Sequence, residues 1–130
     1  MRACLKELHS PDIQNLEDWH QDGDAFGFLL QAMIGPADGD GMESFDLLVC
    51  SPLWLSGQMA DTGIRSGEHM VLMPRYDYRI LRCYLEPRIA AYEADTWADL
   101  ATKLGRIGCW EFAEYRALPE GQDPSSTKER

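Results

Sequence analysis

Positive charge is almost missing from the first half of this chain. No lysine or arginine occurs between Glu7 and Ile64, although eleven of the 22 acidic residues lie in that stretch. The formal net charge of the 130-residue chain is −10. Such a negative field repels nucleic acids and membrane surfaces and attracts basic partners. Alternatively, the excess of acidic residues only keeps the protein soluble. We therefore expect neither a nucleic acid nor a membrane as a partner.

The chain also lacks long apolar runs. Its most apolar segments, FGFLLQAMI and LLVC, are far shorter than the ~20 residues that a membrane-spanning helix needs. The basic start, MRACLKELHS, is not followed by the apolar region of a secretory signal, so we expect a soluble, cytoplasmic protein. With 45% hydrophobic residues, the chain predicts one folded domain over residues 1–116. Residues 117–130 are polar and predict a disordered tail.

Recognisable metal, phosphate and redox motifs are missing from the sequence. The cysteines at positions 4, 50, 83 and 109 have no CxxC spacing, so we expect free thiols. The three histidines include no pair at helical i, i+4 spacing, which argues against zinc. The segment PADGDGME lacks the spacing of a calcium loop, and it has neither the lysine nor the following helix of a phosphate loop. We expect no metal and no cofactor.

Period-two alternation of apolar residues predicts most of the strands. It predicts an edge strand in ACLKEL, a central strand in FGFLLQAMIG and its hairpin partner in SFDLLVC, with PADGDGME as the acidic turn. EHMVLMPRY and CWEFAEYR predict two further strands, the first at an edge because it contains a proline. The segment SPDIQNLEDWHQDGDAF has no clean period and predicts an acidic loop.

Helical spacing and capping signals predict two helices in the second half of the chain. Asp77 suits the N-cap of YRILRCYLEPRIAAY, which Pro87 should kink or interrupt. Thr96 suits the N-cap of the last helix, which Gly105 should end in a left-handed conformation. The elements together predict an α+β fold. It is a single domain with an antiparallel-rich sheet of about five strands, packed against two or three helices.

The stretch SFDLLVCSPLWL raises the question of whether Cys50 is a nucleophile or a packing residue. Ser51 suits an N-cap, so this cysteine lies where a strand ends and a short helix, PLWLSGQMA, begins. We expect that helix to end near Gly57 or shortly after it. A thiol at a helix N-terminus can be activated, and His20 or His69 would be its base in a small thiol-dependent enzyme. Neither histidine lies in a catalytic motif, so packing is the favoured interpretation.

Four stretches carry a resemblance to a known family. LHSPDIQNLEDW, FLLQAMIGP, SFDLLVCSPLWL and DTWADLATKLGRIGCWEFAEY, in this order, resemble the immunity protein 8 family of bacterial polymorphic toxin systems. The resemblance runs over about residues 1–116. It implies an α+β protein that binds and neutralises a cognate toxin domain, with no catalysis and no cofactor. The matched family positions, which we interpret as fold determinants, are Trp54, Gly105, Gly108, Trp110, Glu111 and Phe112.

The two acidic loops supply the candidate contacts. Many toxins of these systems attack nucleic acid and carry basic clefts, which an acidic inhibitor can occupy. The candidate toxin-binding residues are Glu17, Asp18, Trp19, Asp22, Asp24, Asp38, Asp40 and Glu43. Trp19 is an aromatic anchor in this hypothesis and a core residue beneath the loop in the alternative. The acids are alternatively a solvated face.

Other functions stay open from the sequence alone. One is the thiol-dependent enzyme centred on Cys50, and another is a structural or oligomeric interaction protein. We expect no catalytic residues, and either a monomer or a homodimer.

Overall fold

The computed structural model describes residues 1–113 of the chain, which form five strands and three helices. In chain order the elements are β1 (Ala3–His9), β2 (Gly27–Pro36), β3 (Glu43–Cys50), α1 (Pro52–Thr62), β4 (Met70–Leu72), α2 (Tyr78–Ala90), α3 (Trp97–Leu104) and β5 (Cys109–Trp110). This α+β architecture confirms the predicted fold class. None of the helices in the described part of the chain has the length and apolar content to cross a membrane.

The strands form one mixed sheet. Strands β1, β2 and β3 are an antiparallel meander, and β1 lies at one edge as predicted. The second edge of β3 is shared by two short strands. Strand β4 pairs in parallel with residues 48–50, and β5 pairs antiparallel with residues 45–46. The sheet is therefore mainly antiparallel, and β4 is its one parallel addition among the described strands.

One face of the sheet forms the core with α2 and α3. Alternate residues of β2 and β3 turn to this face, as the period-two pattern predicts. The buried side chains of this layer are Phe28, Leu30, Ala32, Ile34, Phe45, Leu47 and Val49 from the strands, with Leu81, Leu85, Ile89, Leu100 and Leu104 from the helices. We call the opposite side, turned away from α2 and α3, the outer face.

The predicted helix starts are confirmed by hydrogen bonds. The Ser51 hydroxyl accepts from the backbone N–H of Trp54, and the Asp77 carboxylate accepts from two N–H groups in the first turn of α2. Thr96 accepts from the N–H of Asp99 at the start of α3. Side-chain oxygens at these N-cap positions satisfy donors that have no partner within the helix.

Several predicted boundaries differ from the structure. Helix α1 continues through Gly57 to Thr62 and is capped by Gly63, whose φ of 75° is the left-handed conformation that glycine tolerates. Gly105 has a φ of −58°, so the predicted left-handed end of α3 is wrong. Helix α2 is not interrupted by Pro87, which lies in its last turn, and it continues to Ala90, three residues beyond the proline.

The last strand is shorter than its alternating pattern predicts. Trp110 is buried against the sheet, but Phe112 is exposed and therefore adds little to the core. Only residues 109–110 are paired with β3 as a strand, and the backbone N–H of Glu111 adds one further hydrogen bond, to the Ser44 carbonyl. The predicted disordered tail, residues 117–130, lies outside the described residues.

Candidate partner-binding surfaces

The acidic loop, residues 10–26, joins β1 to β2 and carries five of the predicted contact residues, four of them acidic. The side chains of Glu17, Asp18, Asp22 and Asp24 are all exposed. Asp18 accepts a hydrogen bond from the Asn15 amide, and Asp24 lies 3.6 Å from the guanidinium of Arg75. Because both partners of the latter ion pair are highly exposed, it contributes little to stability and leaves Asp24 accessible.

The loop is held in place by aromatic packing beneath it. The Trp19 ring meets the rings of Phe26, Phe28 and Tyr76 edge-on, with centroid separations of 5.2–6.0 Å. The Tyr76 hydroxyl donates to the Leu16 carbonyl, and burial raises the pKa of Tyr76. Trp19 is half-buried in this cluster, so its position matches the core alternative.

The hairpin turn, residues 37–42, carries the other predicted acids. Asp38 and Asp40 are exposed there. Glu43 follows the turn and has a different environment, because its Oε1 atom accepts from the indole N–H groups of Trp97 and Trp110, each at 2.8 Å. Its carboxylate lies on the core side of the sheet and joins α3 to β5.

The structure does not bring the two acidic groups together. The acidic loop lies at the start of β2, and the hairpin turn lies at its end. A ten-residue strand spans roughly 30 Å, so the loops form two separate acidic regions. A partner that binds one of them at close range does not contact the other unless its own surface covers the length of the sheet.

Helix α1 was predicted from the sequence, but its position on the surface was not. None of its eleven residues is buried. Leu53 is 58% exposed, and Ile64, just after the helix, is 79% exposed. The signal was available in the sequence, because Leu53, Trp54 and Leu55 are consecutive. Successive residues of a helix point about 100° apart, so three in a row are not all directed to one core.

The Trp54 ring fixes where α1 lies. A Cβ atom on Gly27 would lie 2.4–2.7 Å from three ring carbons of Trp54. Gly27 pairs with Cys50, and its missing side chain points to the outer face, since that of Phe28 points to the core. The indole therefore packs flat on bare backbone at the outer face, with the guanidinium of Arg65 5.7 Å from its ring centre.

The outer face continues from Trp54 as an apolar row. Leu29, Leu48 and Met70 are neighbours on β2, β3 and β4, and all three are half-buried. Both core helices lie on the other side, so within residues 1–113 no helix except α1 lies over this face. The next row is polar and contains Gln31 and Asp46.

Asp46 is the electrostatically unusual residue of the outer face. Its Oδ1 atom is buried and has no hydrogen-bond partner among residues 1–113. Burial, and secondarily the negative charge of Glu111, raise the pKa of Asp46. The Glu111 carboxylate accepts from the backbone N–H and hydroxyl of Ser44, two residues along the same strand. Two carboxylates thus lie close together on this face.

The thiol of Cys50 is fully buried where β3 meets α1. Burial raises its pKa, and the opposing effect of Arg65 is smaller. A buried thiol with a raised pKa is a poor nucleophile.

The ring Nε2 atom of His69 lies 2.6 Å from the Gly105 carbonyl oxygen, in a cleft of about 340 Å³ beside β5. Within the described part of the chain, no group of three His, Cys, Asp or Glu side chains is arranged to hold a metal.

Comparison with known proteins gives one family match. A family model described as Immunity protein 8 matches residues 3–115, which include every strand and helix described above. No curated protein and no solved structure matches the chain.

Proposed function

Because this chain belongs to the immunity protein 8 family, we propose that it binds and neutralises one cognate toxin domain of a bacterial polymorphic toxin system. The observation that carries this proposal is the family match over nearly the whole folded domain. The chain acts in the cytoplasm of the producing cell, by occupying the toxin and without catalysis or a cofactor. The buried Cys50 thiol is consistent with action by binding.

The charge of the chain suggests which toxins it neutralises. A net charge of −10, with exposed acids at both ends of the sheet, complements a basic protein surface. Enzymes that act on nucleic acids carry basic surfaces, because they bind phosphates. We therefore propose a nuclease domain as the target.

Four acids of the acidic loop, Glu17, Asp18, Asp22 and Asp24, and the two of the hairpin turn are proposed as its toxin-facing charges. Because the two groups are roughly 30 Å apart along β2, they have different roles. The loop acids contact the toxin directly, and Asp38 and Asp40 act at longer range by attracting a basic partner. Trp19 and Glu43 contribute by holding the loop and the end of β3 in place, through the contacts described above.

Co-expression with a toxin tests the function itself. The C-terminal domain of the toxin encoded beside this gene would be expressed in bacteria with and without the chain, alongside a non-cognate toxin. We expect growth to be rescued only with the neighbouring toxin, and the pair to co-purify. A toxic neighbour that is not neutralised by soluble, folded protein would contradict the pairing.

Association kinetics test the roles of the two acidic regions. Changing Glu17, Asp18, Asp22 and Asp24 to their amides should lower the association rate constant about tenfold at low salt and also increase the dissociation rate. Changing Asp38 and Asp40 to asparagine is the matched control, which should affect association alone. If the association rate of the unmodified chain does not fall as ionic strength rises, charge attraction is not part of binding.

A further inference from the structure

We propose that helix α1 and the adjoining apolar row of the outer face form the central docking surface for the toxin, with Trp54 as its anchor. This inference rests on the proposed function and names the surface through which it acts. The occupant is a toxin surface with an apolar centre and basic residues around it. Four observations on the described residues support this surface over any other.

The first observation is that α1 exposes apolar side chains without burying any residue. Isolated helices shorter than ~12–15 residues are marginal in water, and in folded proteins the packing of an apolar face usually stabilises them. Helix α1 has eleven residues and no buried side chain, although it contains Leu53, Trp54, Leu55 and Met59. Trp54, Leu55 and Met59 are half-buried and Leu53 is exposed, so the helix packs on the sheet only in part. A helix with apolar side chains left partly uncovered is typical of a surface that binds another protein.

The second observation is the rigid position of Trp54. Its ring lies on the Gly27 backbone and under Arg65, so little conformational freedom remains to be lost on binding. Tryptophan and arginine are the side chains in which interface energy is most often concentrated. From the sequence, Trp54 is interpreted as a fold determinant and Trp19 as the anchor. In the structure the Trp19 ring contacts three aromatic rings, those of Phe26, Phe28 and Tyr76, so we assign the anchor to Trp54 instead.

The third observation is continuity. The row of Leu29, Leu48 and Met70 begins one step along the outer face from the Trp54 ring. All three side chains are half-buried and are left without a covering helix within residues 1–113. Helix and row together form a single apolar surface with a polar border, which is the usual anatomy of a protein interface.

The fourth observation is the charge around this surface. On one side the acidic loop is joined to α1 through Ser51, whose hydroxyl accepts from the N–H groups of both Phe26 and Trp54. On the other side lie Asp46 and Glu111, two carboxylates that repel each other. A lysine or arginine of the partner beside them relieves that repulsion, so the border of the surface selects a basic toxin.

A second exposed apolar region has the opposite charge around it. Leu72, Ile80 and Tyr84 line a groove of about 310 Å³ between β4 and α2. The groove adjoins the apolar row, because Met70 also lines it, but Ile80 and Tyr84 lie on α2, on the other side of the sheet from α1. The neighbouring side chains on α2 include Arg79 and Arg88, and the Arg88 guanidinium lies 5.0 Å from the Tyr84 ring centre. This groove suits a basic partner poorly, and it supplies a control.

Two matched substitutions test the proposal. Leu53 is 58% exposed and Ile80 is 59% exposed, and each lies in the first turn of its helix, where aspartate is tolerated. Leu53→Asp and Ile80→Asp should therefore both fold, as circular dichroism and urea unfolding would check. The probe is the C-terminal domain of the toxin encoded beside the gene, purified from the co-expressed complex and titrated calorimetrically.

We expect Leu53→Asp to weaken toxin binding about 30-fold or more and Ile80→Asp to change it less than about twofold. Equal binding by the Leu53→Asp variant and the unmodified chain would overturn the docking surface while leaving the immunity function intact. A larger loss with Ile80→Asp would also overturn it and would move the interface to the groove between β4 and α2. No binding by the unmodified chain would refute the proposed function, and the docking surface with it.

Sedimentation of the free chain distinguishes the toxin from a second copy as the occupant. We expect the same mass for the unmodified chain and for the Leu53→Asp variant. A dimer that the substitution dissociates would assign the surface to self-association and overturn the proposal.

Discussion

Replacing Glu43 by alanine should destabilise the protein more than its partly exposed position suggests. The Glu43 Oε1 atom is the acceptor for two indole N–H groups, those of Trp97 and Trp110, each at 2.8 Å. These residues are 54 and 67 positions away along the chain, so one carboxylate joins β3 to α3 and to β5. Alanine would leave two donors without their acceptor, those of the half-buried Trp97 and the buried Trp110.

The expected loss follows from the two hydrogen bonds. A hydrogen bond to a charged group contributes about 1.5–3 kcal/mol, and partial exposure of these groups places each near the lower limit. We therefore expect Glu43→Ala to lower the free energy of unfolding by about 2–4 kcal/mol. With a urea m-value of about 1.5 kcal/mol/M for a domain of this size, the midpoint should fall by about 2 M.

Urea unfolding followed by tryptophan fluorescence measures this loss. Glu43→Gln keeps one side-chain oxygen as an acceptor and should lower the free energy of unfolding by only about 1 kcal/mol. In a Trp97→Phe background one donor is already gone, so Glu43→Ala should have a smaller effect there. A loss below about 0.5 kcal/mol for Glu43→Ala, or equal losses for the alanine and glutamine variants, would refute the reasoning.

Three further perturbations have expected outcomes. Gly57→Ala should raise the free energy of unfolding by about 0.5–1 kcal/mol, because the added methyl group meets open space. Gly35→Ala should lower it, since a Cβ there meets the Gly41 carbonyl oxygen. Urea midpoints compare the two variants, and a loss of stability with Gly57→Ala would contradict the exposure of α1. Asp46→Asn should stabilise the protein at neutral pH, because the pKa of Asp46 is raised in the folded state, so stability is lost as pH rises through that folded-state pKa. The stability gained by the substitution should vanish near about pH 3, where the aspartate is protonated in the folded and the unfolded state. A gain that persists at that pH would contradict a charge effect. Iodoacetamide should modify the exposed Cys83 rapidly in the native protein and the buried Cys50 only after unfolding. Mass spectrometry of peptides measures the modification. Rapid alkylation of Cys50 in the native protein would instead support the thiol-dependent enzyme.

Local patterns in the sequence were sufficient for the meander and the helix starts. The alternation in β2 and β3 fixes which residues enter the core, and Ser51, Asp77 and Thr96 cap helices because the bond each makes reaches only two or three residues. The end of α1 was misjudged for a physical reason. A glycine within a helix weakens it by only ~1 kcal/mol, so Gly57 does not end it, whereas Gly63 adopts the left-handed conformation.

Features that depend on distant residues could not be predicted in this way. Nothing near Met70 indicates that β4 pairs in parallel with β3, and nothing near Glu43 indicates two tryptophans as its donors. The acidic residues were correctly found to be exposed, apart from the half-buried Glu43. Their separation into two regions was not foreseen, because it follows from the length and direction of β2.

The shared edge of β3 also determines when a newly made chain can complete its fold. Strands β1, β2 and β3 are made first and pair through local contacts, but β5 completes the edge of β3 only after residue 110 has been synthesised. Until then Trp110 is missing from the core and Glu43 lacks one of its donors. Under the proposed function, a cell that makes the toxin and this chain together would therefore be protected by chains finished earlier, not by those still on the ribosome.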